Sequence, residues 1–107
     1  MSTRAQSRTQ YVYVEAKRSS NSWGQSHVTL YGPKTVLTSI QDQFADRKPN
    51  SVSCFTALFG NSMKMELSGT DLMFMKSTLL EEVLKLGFKL LSNIKDDALT
   101  LSREVKL

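Results

Sequence analysis

Apolar residues recur with two different periods along this 107-residue chain. Tyr11-Val12-Tyr13-Val14 is β-branched and aromatic, the residue mix of a pleated surface. It predicts a strand running to about residue 17, with Tyr11 and Tyr13 on one face and Val12 and Val14 on the other. Residues 27–31 (HVTLY) predict a second strand with Val28 and Leu30 on one side. Gly32-Pro33 breaks that strand and starts a helix, since proline is tolerated near a first turn. The period then lengthens over residues 34–45, where Val36, Leu37, Ile40 and Phe44 line one helical face and Lys34, Gln41 and Asp42 the other. Residues 46–50 form a loop in which Pro49 bars continuation. A third strand is expected over 52–58, with Phe55 and Phe59 sharing a face if the strand stays regular. A fourth is expected over 64–67, with Met63, Met65 and Leu67 alternating against Lys64 and Glu66.

Two readings compete for residues 72–76 (LMFMK). Thr78 and Glu81 have capping-box spacing, which gives the following helix its own start and leaves 72–76 as a short fifth strand. The alternative is one longer helix from Asp71. Leu79, Leu80, Val83, Leu84 and Leu86 make the apolar stripe of this helix, while Glu81, Glu82 and Lys85 face mostly away. Gly87 sits where a left-handed stop residue is wanted. Phe88, Leu90 and Ile94 then alternate, Lys95-Asp96-Asp97 turns the chain, and Leu99, Leu101 and Val105 continue a last strand opposite Thr100 and Ser102. Leu80, Val83, Leu84 and Phe88 are the expected core of this half. The element order β-β-α-β-β-β-α-β-β predicts an α+β fold, a mainly antiparallel sheet with two amphipathic helices packed on one face. The other face stays exposed or becomes an oligomer interface.

Composition adds boundaries to this picture. Residues 1–10 lack apolar periodicity and read as a disordered basic tail, leaving 11–107 as a single α+β domain. The net charge of +4 points toward nucleic acid, but residues 1–18 hold +3 of it and the rest of the chain only +1, so the excess reads as a solubilising tail, with a phosphate-binding arm as the alternative. No apolar run reaches membrane-span length and no secretion signal opens the chain. One cysteine, Cys54, precludes an intramolecular disulfide and fits a reducing, cytoplasmic setting. Met63, Met65, Met73 and Met75 read as adaptable core filling, or as a soft binding surface. Trp23, in a polar loop, either folds over the core or waits for a partner.

Catalytic chemistry finds little footing in these residues. The single histidine, His27, and Cys54 have no spacing that joins them as base and nucleophile. One of each is too few for a structural zinc site, and no glycine-rich phosphate loop follows a strand. The expectation is a protein that is not an enzyme, with no cofactor and no metal. A single-stranded RNA binder is the competing class, stacking bases on Tyr11, Tyr13, Phe55 and Phe74. The aromatic core motif of RNA-recognition modules is missing, however, and two strands rather than one precede the first helix. Metabolite-binding regulation at subunit interfaces is a third class.

The closing stretch carries a family resemblance. LMFMK, STLLEEVLKLGFKLLSN and IKDDALTLSREV, in that order, resemble the last third of the C-terminal domains of the KCTD family, the BTB-containing potassium-channel tetramerisation-domain adaptors. The counterparts of the family's helix-ending phrase and final pair are Leu84, Gly87-Phe88 and Arg103-Glu104. HVTLYGPKTVLTSIQDQF is similar to that family's strand, glycine and first helix, and the closing pattern is also similar to GTP cyclohydrolase I feedback regulatory proteins. No BTB domain precedes these residues in this chain, which therefore reads as an excised domain or a solitary relative. The resemblance implies a non-catalytic, ring-forming domain, a pentamer above other homo-oligomers. It also implies docking onto a protein partner, of G-protein βγ type or an enzyme under its regulation. Aromatic and arginine side chains dominate binding hot spots, so Tyr11, Tyr13, Trp23, Phe74 and Arg103 are the expected partner-binding residues.

Overall fold

Six strands and two helices follow one another as β1 (Ser7–Lys17), β2 (Ser26–Pro33), α1 (Lys34–Ala45), β3 (Ser53–Phe59), β4 (Ser62–Gly69), α2 (Leu72–Lys85), β5 (Lys89–Lys95) and β6 (Ala98–Lys106). A computed structural model describes residues 7–18, 25–47, 50–95 and 98–106. All six strands join one antiparallel sheet in the order β3-β4-β2-β1-β6-β5. The fold is α+β, with both helices packed over β2 and β4 and α2 reaching β1.

Alternation turns one side of each of the four inner strands toward the helix layer. Val12, Val14 and Ala16 of β1, Val28 and Leu30 of β2, Met63, Met65 and Leu67 of β4 and Leu99 and Leu101 of β6 are all buried. They meet Val36, Leu37, Ile40 and Phe44 of α1 and Met75, Leu79 and Val83 of α2. Of the four methionines in question, only Met73 lies exposed. Gly32 sits where β2 passes into α1. A Cβ there would lie 2.9 Å from Leu37 Cδ1 and 3.2 Å from Val12 Cγ2, so the close approach of helix and sheet depends on its missing side chain. Gly87 has a φ of +93° and ends the second helix as expected.

Four expectations are corrected. Residues 7–10 are strand, not tail: β6 extends to Lys106 and supplies backbone partners from Ser7↔Lys106 to Gln10↔Arg103, and a strand end needs pairing more than apolar pattern. Residues 72–76 are the first turns of α2, so the chain has one strand fewer than expected. The Asp71 side chain accepts a hydrogen bond from the Phe74 N–H at 3.0 Å and caps the helix there, about two turns before Thr78, which is buried mid-helix. Starting the helix at Leu72 aligns Leu72, Met75, Leu79 and Val83 on the inner face, which rotates Leu84 outward to 52% exposure and leaves Leu80 half-buried. Glu82, expected to face away, is buried at 5% exposure. It accepts from Arg47 Nη1 at the end of α1, with Lys85 Nζ 3.6 Å away. The Asp96-Asp97 turn and the side chain of Ile94 lie outside the described residues.

Candidate functional site

The face of the sheet opposite the helices has no element over it among the described residues. Its occupants follow from register. Across one row, Ala57 of β3, Lys64 of β4, Tyr31 of β2, Tyr13 of β1 and Thr100 of β6 stand side by side. The Tyr13 and Tyr31 rings lie 6.2 Å apart at 47°, and Lys64 Nζ is 5.9 Å from the Tyr31 ring centre. The next row runs Phe55, Glu66, Thr29, Glu15, Ala98. Lysines 17 and 64 are therefore interleaved with glutamates 15 and 66, and the face carries both signs of charge rather than a basic field.

One polar cluster on this face has the residue types of a catalytic triad without its geometry. His27 Nδ1 is 2.8 Å from Ser68 Oγ and 3.9 Å from Glu66 Oε1. A base that activates a serine must face the hydroxyl with one ring nitrogen and its orienting carboxylate with the other. Here both partners sit on the same nitrogen, so the arrangement lacks the geometry of a triad. Cys54 pairs with Leu67 and so lies on the helix side of the sheet, while His27 lies on the open side. The sheet itself separates the two.

Exposed apolar residues concentrate at the two sheet edges. On β3, Phe55 and Phe59 project from the open face and Leu58 from the helix face; each is close to 60% exposed. On β5, Leu90 projects from the helix face and Leu91 sits at an irregularity in the pairing with β6; both are more than half exposed. The helices cover the middle of the sheet, and the edge strands overhang them.

The five residues expected to bind a partner do not form one patch. Tyr11 is exposed and Tyr13 half-buried, both on the open face. Phe74 lies in the first turn of α2, on the helix side. Trp23 lies outside the described residues. Arg103 points inward under the helix layer: Nε donates to Gln10 Oε1 at 2.9 Å, Nη1 donates to the Leu86 carbonyl at 2.6 Å, and the guanidinium stands 4.7 Å over the Phe88 ring. It satisfies a free carbonyl at the end of α2 and holds buried Phe88 in place. Gly87-Phe88 and Arg103, far apart in the sequence, are thus parts of one structural clamp. Tyr31 has no place among the expected binding residues, although its side is implied by Val28 and Leu30 facing the other way, and of the edge residues only Phe55 is given a binding role by the sequence.

No protein-family model and no curated protein matches the chain. Among the described residues no three His, Cys, Asp or Glu side chains gather as metal ligands, and no helix is long and apolar enough to cross a membrane.

Proposed function

We propose that this domain is a non-enzymatic protein-interaction module that self-assembles into a closed ring and docks onto a protein partner. One observation carries the reading: among the described residues the sheet ends in two unlike edges, neither paired with a further strand and both carrying exposed apolar side chains. Contact between unlike surfaces is heterologous, and a heterologous contact that closes makes a ring. Ser53–Phe59 contains no charged residue and no proline, the usual devices that keep an edge strand from pairing with another chain. The resemblance of the closing stretch to KCTD C-terminal domains sets the expected number at five. Phe55, Phe59, Leu90 and Leu91 are the subunit contacts, and the open face with Tyr11, Tyr13 and Tyr31 remains for the partner.

Native mass spectrometry, with light scattering behind a sizing column, tests the assembly. A closed ring that Phe59→Asp or Leu91→Asp converts to monomer without loss of fold supports the reading; a clean monomer at all concentrations overturns it. A single-stranded RNA platform is the second reading, favoured by the tyrosines gathered on the open face. Its mark is oligonucleotide binding that falls steeply with salt and is lost in Tyr13→Ala.

A further inference from the structure

The central strand β1 is paired over unequal lengths on its two sides. It pairs with β6 at nine positions, from Ser7 to Glu15, but with β2 only at five, from Tyr13 to Lys17. The cause is in the sequence: β2 ends at Pro33, which has no N–H to donate, and the chain turns at once into α1. Among the described residues no strand pairs with Ser7–Tyr11 on the β2 side. Alternate residues of that stub turn their N–H and C=O groups to this side. A groove of about 540 Å³ lies there, between Arg8, Thr9 and Tyr11 on one wall and Pro33, Lys34 and Asn61 on the other.

The groove has a definite charge. Arg8 and Lys34 line it, and among the described residues no acidic side chain does. Arg8 belongs to the same alternating set as Val12 and Val14, so it projects to the helix side, where Lys34 begins α1. No side chain caps α1 and its first turn holds no acidic residue, which leaves the positive end of the helix facing the same space. Glu104 pairs with Thr9 and so belongs to the opposite face.

We propose that this groove binds an extended, acidic peptide segment of a partner protein as an added strand beside Ser7–Tyr11. The peptide completes the row that β2 abandons at Pro33. Its backbone pairs with the free edge of β1, and its carboxylates, on the side chains turned to the helix layer, meet Arg8 and Lys34. The inference rests on the reading of the domain as a protein-docking module but does not require the ring.

Fluorescence polarisation on the full chain tests it with a labelled, end-blocked hexapeptide of alternating Val and Glu. The controls are the same peptide with Lys for Glu, and the same peptide with alternate backbone nitrogens methylated. Saturable binding is expected for the Glu peptide, weaker by about tenfold or more in R8E/K34E and for both controls. Both substituted side chains are exposed, and a glutamate at residue 34 suits a helix N-terminus, so the variant keeps its fold; a thermal melt verifies it. No saturable binding, or binding indifferent to the charge reversal or to methylation, overturns the proposal. Native mass spectrometry on the same samples separates the two ideas. A ring that ignores the peptide sinks only the groove, and a monomer that binds it sinks only the ring.

Discussion

Neighbouring residues of the same strands serve the two faces of the sheet, and the faces differ in kind. On β2, Leu30 is fully buried under the helices while Tyr31, the next residue, is 41% exposed on the open side. On β1, Val12, Val14 and Ala16 alternate with Tyr11, Tyr13 and Glu15 in the same way. The covered face is aliphatic, close-packed and continuous with both helices. The open face mixes tyrosines, lysines and glutamates, with Tyr31 in contact with both Tyr13 and Lys64. Most of the stability of such a sheet comes from its covered side, with cross-strand pairs adding a smaller share on the open one.

The sharpest test of that contrast is at β2. Leu30→Ala removes a fully buried side chain and is expected to destabilise the domain by about 2–5 kcal/mol, measured by urea denaturation. A loss below about 1 kcal/mol would mean that the helix layer does not seal this face. Next comes the polar exception within the covered side. Arg47→Ala strands the buried Glu82 carboxylate between the helices, with Lys85 as a partly exposed substitute. A cost of about 1–3 kcal/mol is expected, reduced from that of a fully buried pair because Arg47 itself is half exposed. In Glu82→Gln/Arg47→Ala the cost should shrink, since no charge is then left unpaired. Equal losses in the single and double variants would show that the bridge is incidental.

How far the sequence revealed these faces depends on what each element needed. The first helix was legible to the residue over 34–45, because Gly32-Pro33 and the Val36, Leu37, Ile40, Phe44 stripe agree. The second helix was not, because two N-caps compete. Thr78 and Glu81 satisfy a local pattern, but Asp71 caps a helix whose inner face begins with Leu72 and Met75, and burial of those residues decides. That choice turned Leu84 outward and Glu82 inward. Strand faces were legible by alternation alone, Phe55 and Phe59 included. Strand lengths were not: residues 7–10 carry no apolar signal, and their pairing depends on a strand at the far end of the chain. Arg103 looked like a surface anchor for the same reason, since Leu86, Gln10 and Phe88 meet it only in three dimensions.

Tyr31→Ala probes the open face with a smaller effect. It removes a cross-strand aromatic contact with Tyr13 and the Lys64 contact, and should cost about 1 kcal/mol. If the loss matched that of Leu30→Ala, the open face would be a second core, covered in the working assembly.

The smallest effect is expected on the outer surface of α2, where Leu84 repeats the residue type of Leu79 with the opposite fate. Leu79 is fully buried; Leu84 is half exposed. In a dilute, monomeric sample Leu84→Ala should change stability by about 0.5 kcal/mol or less, because the little burial lost is partly offset by alanine's better helix propensity. Repeating the measurement at increasing protein concentration then gives the comparison its edge. Any contact between copies that covers Leu84 stabilises the wild type by mass action and leaves the variant behind, so the gap between the two melting curves would widen with concentration. A gap that stays small and constant confines subunit contacts to the strand edges. One that widens brings α2 into the interface, and Leu84 then belongs to the assembly rather than to the fold.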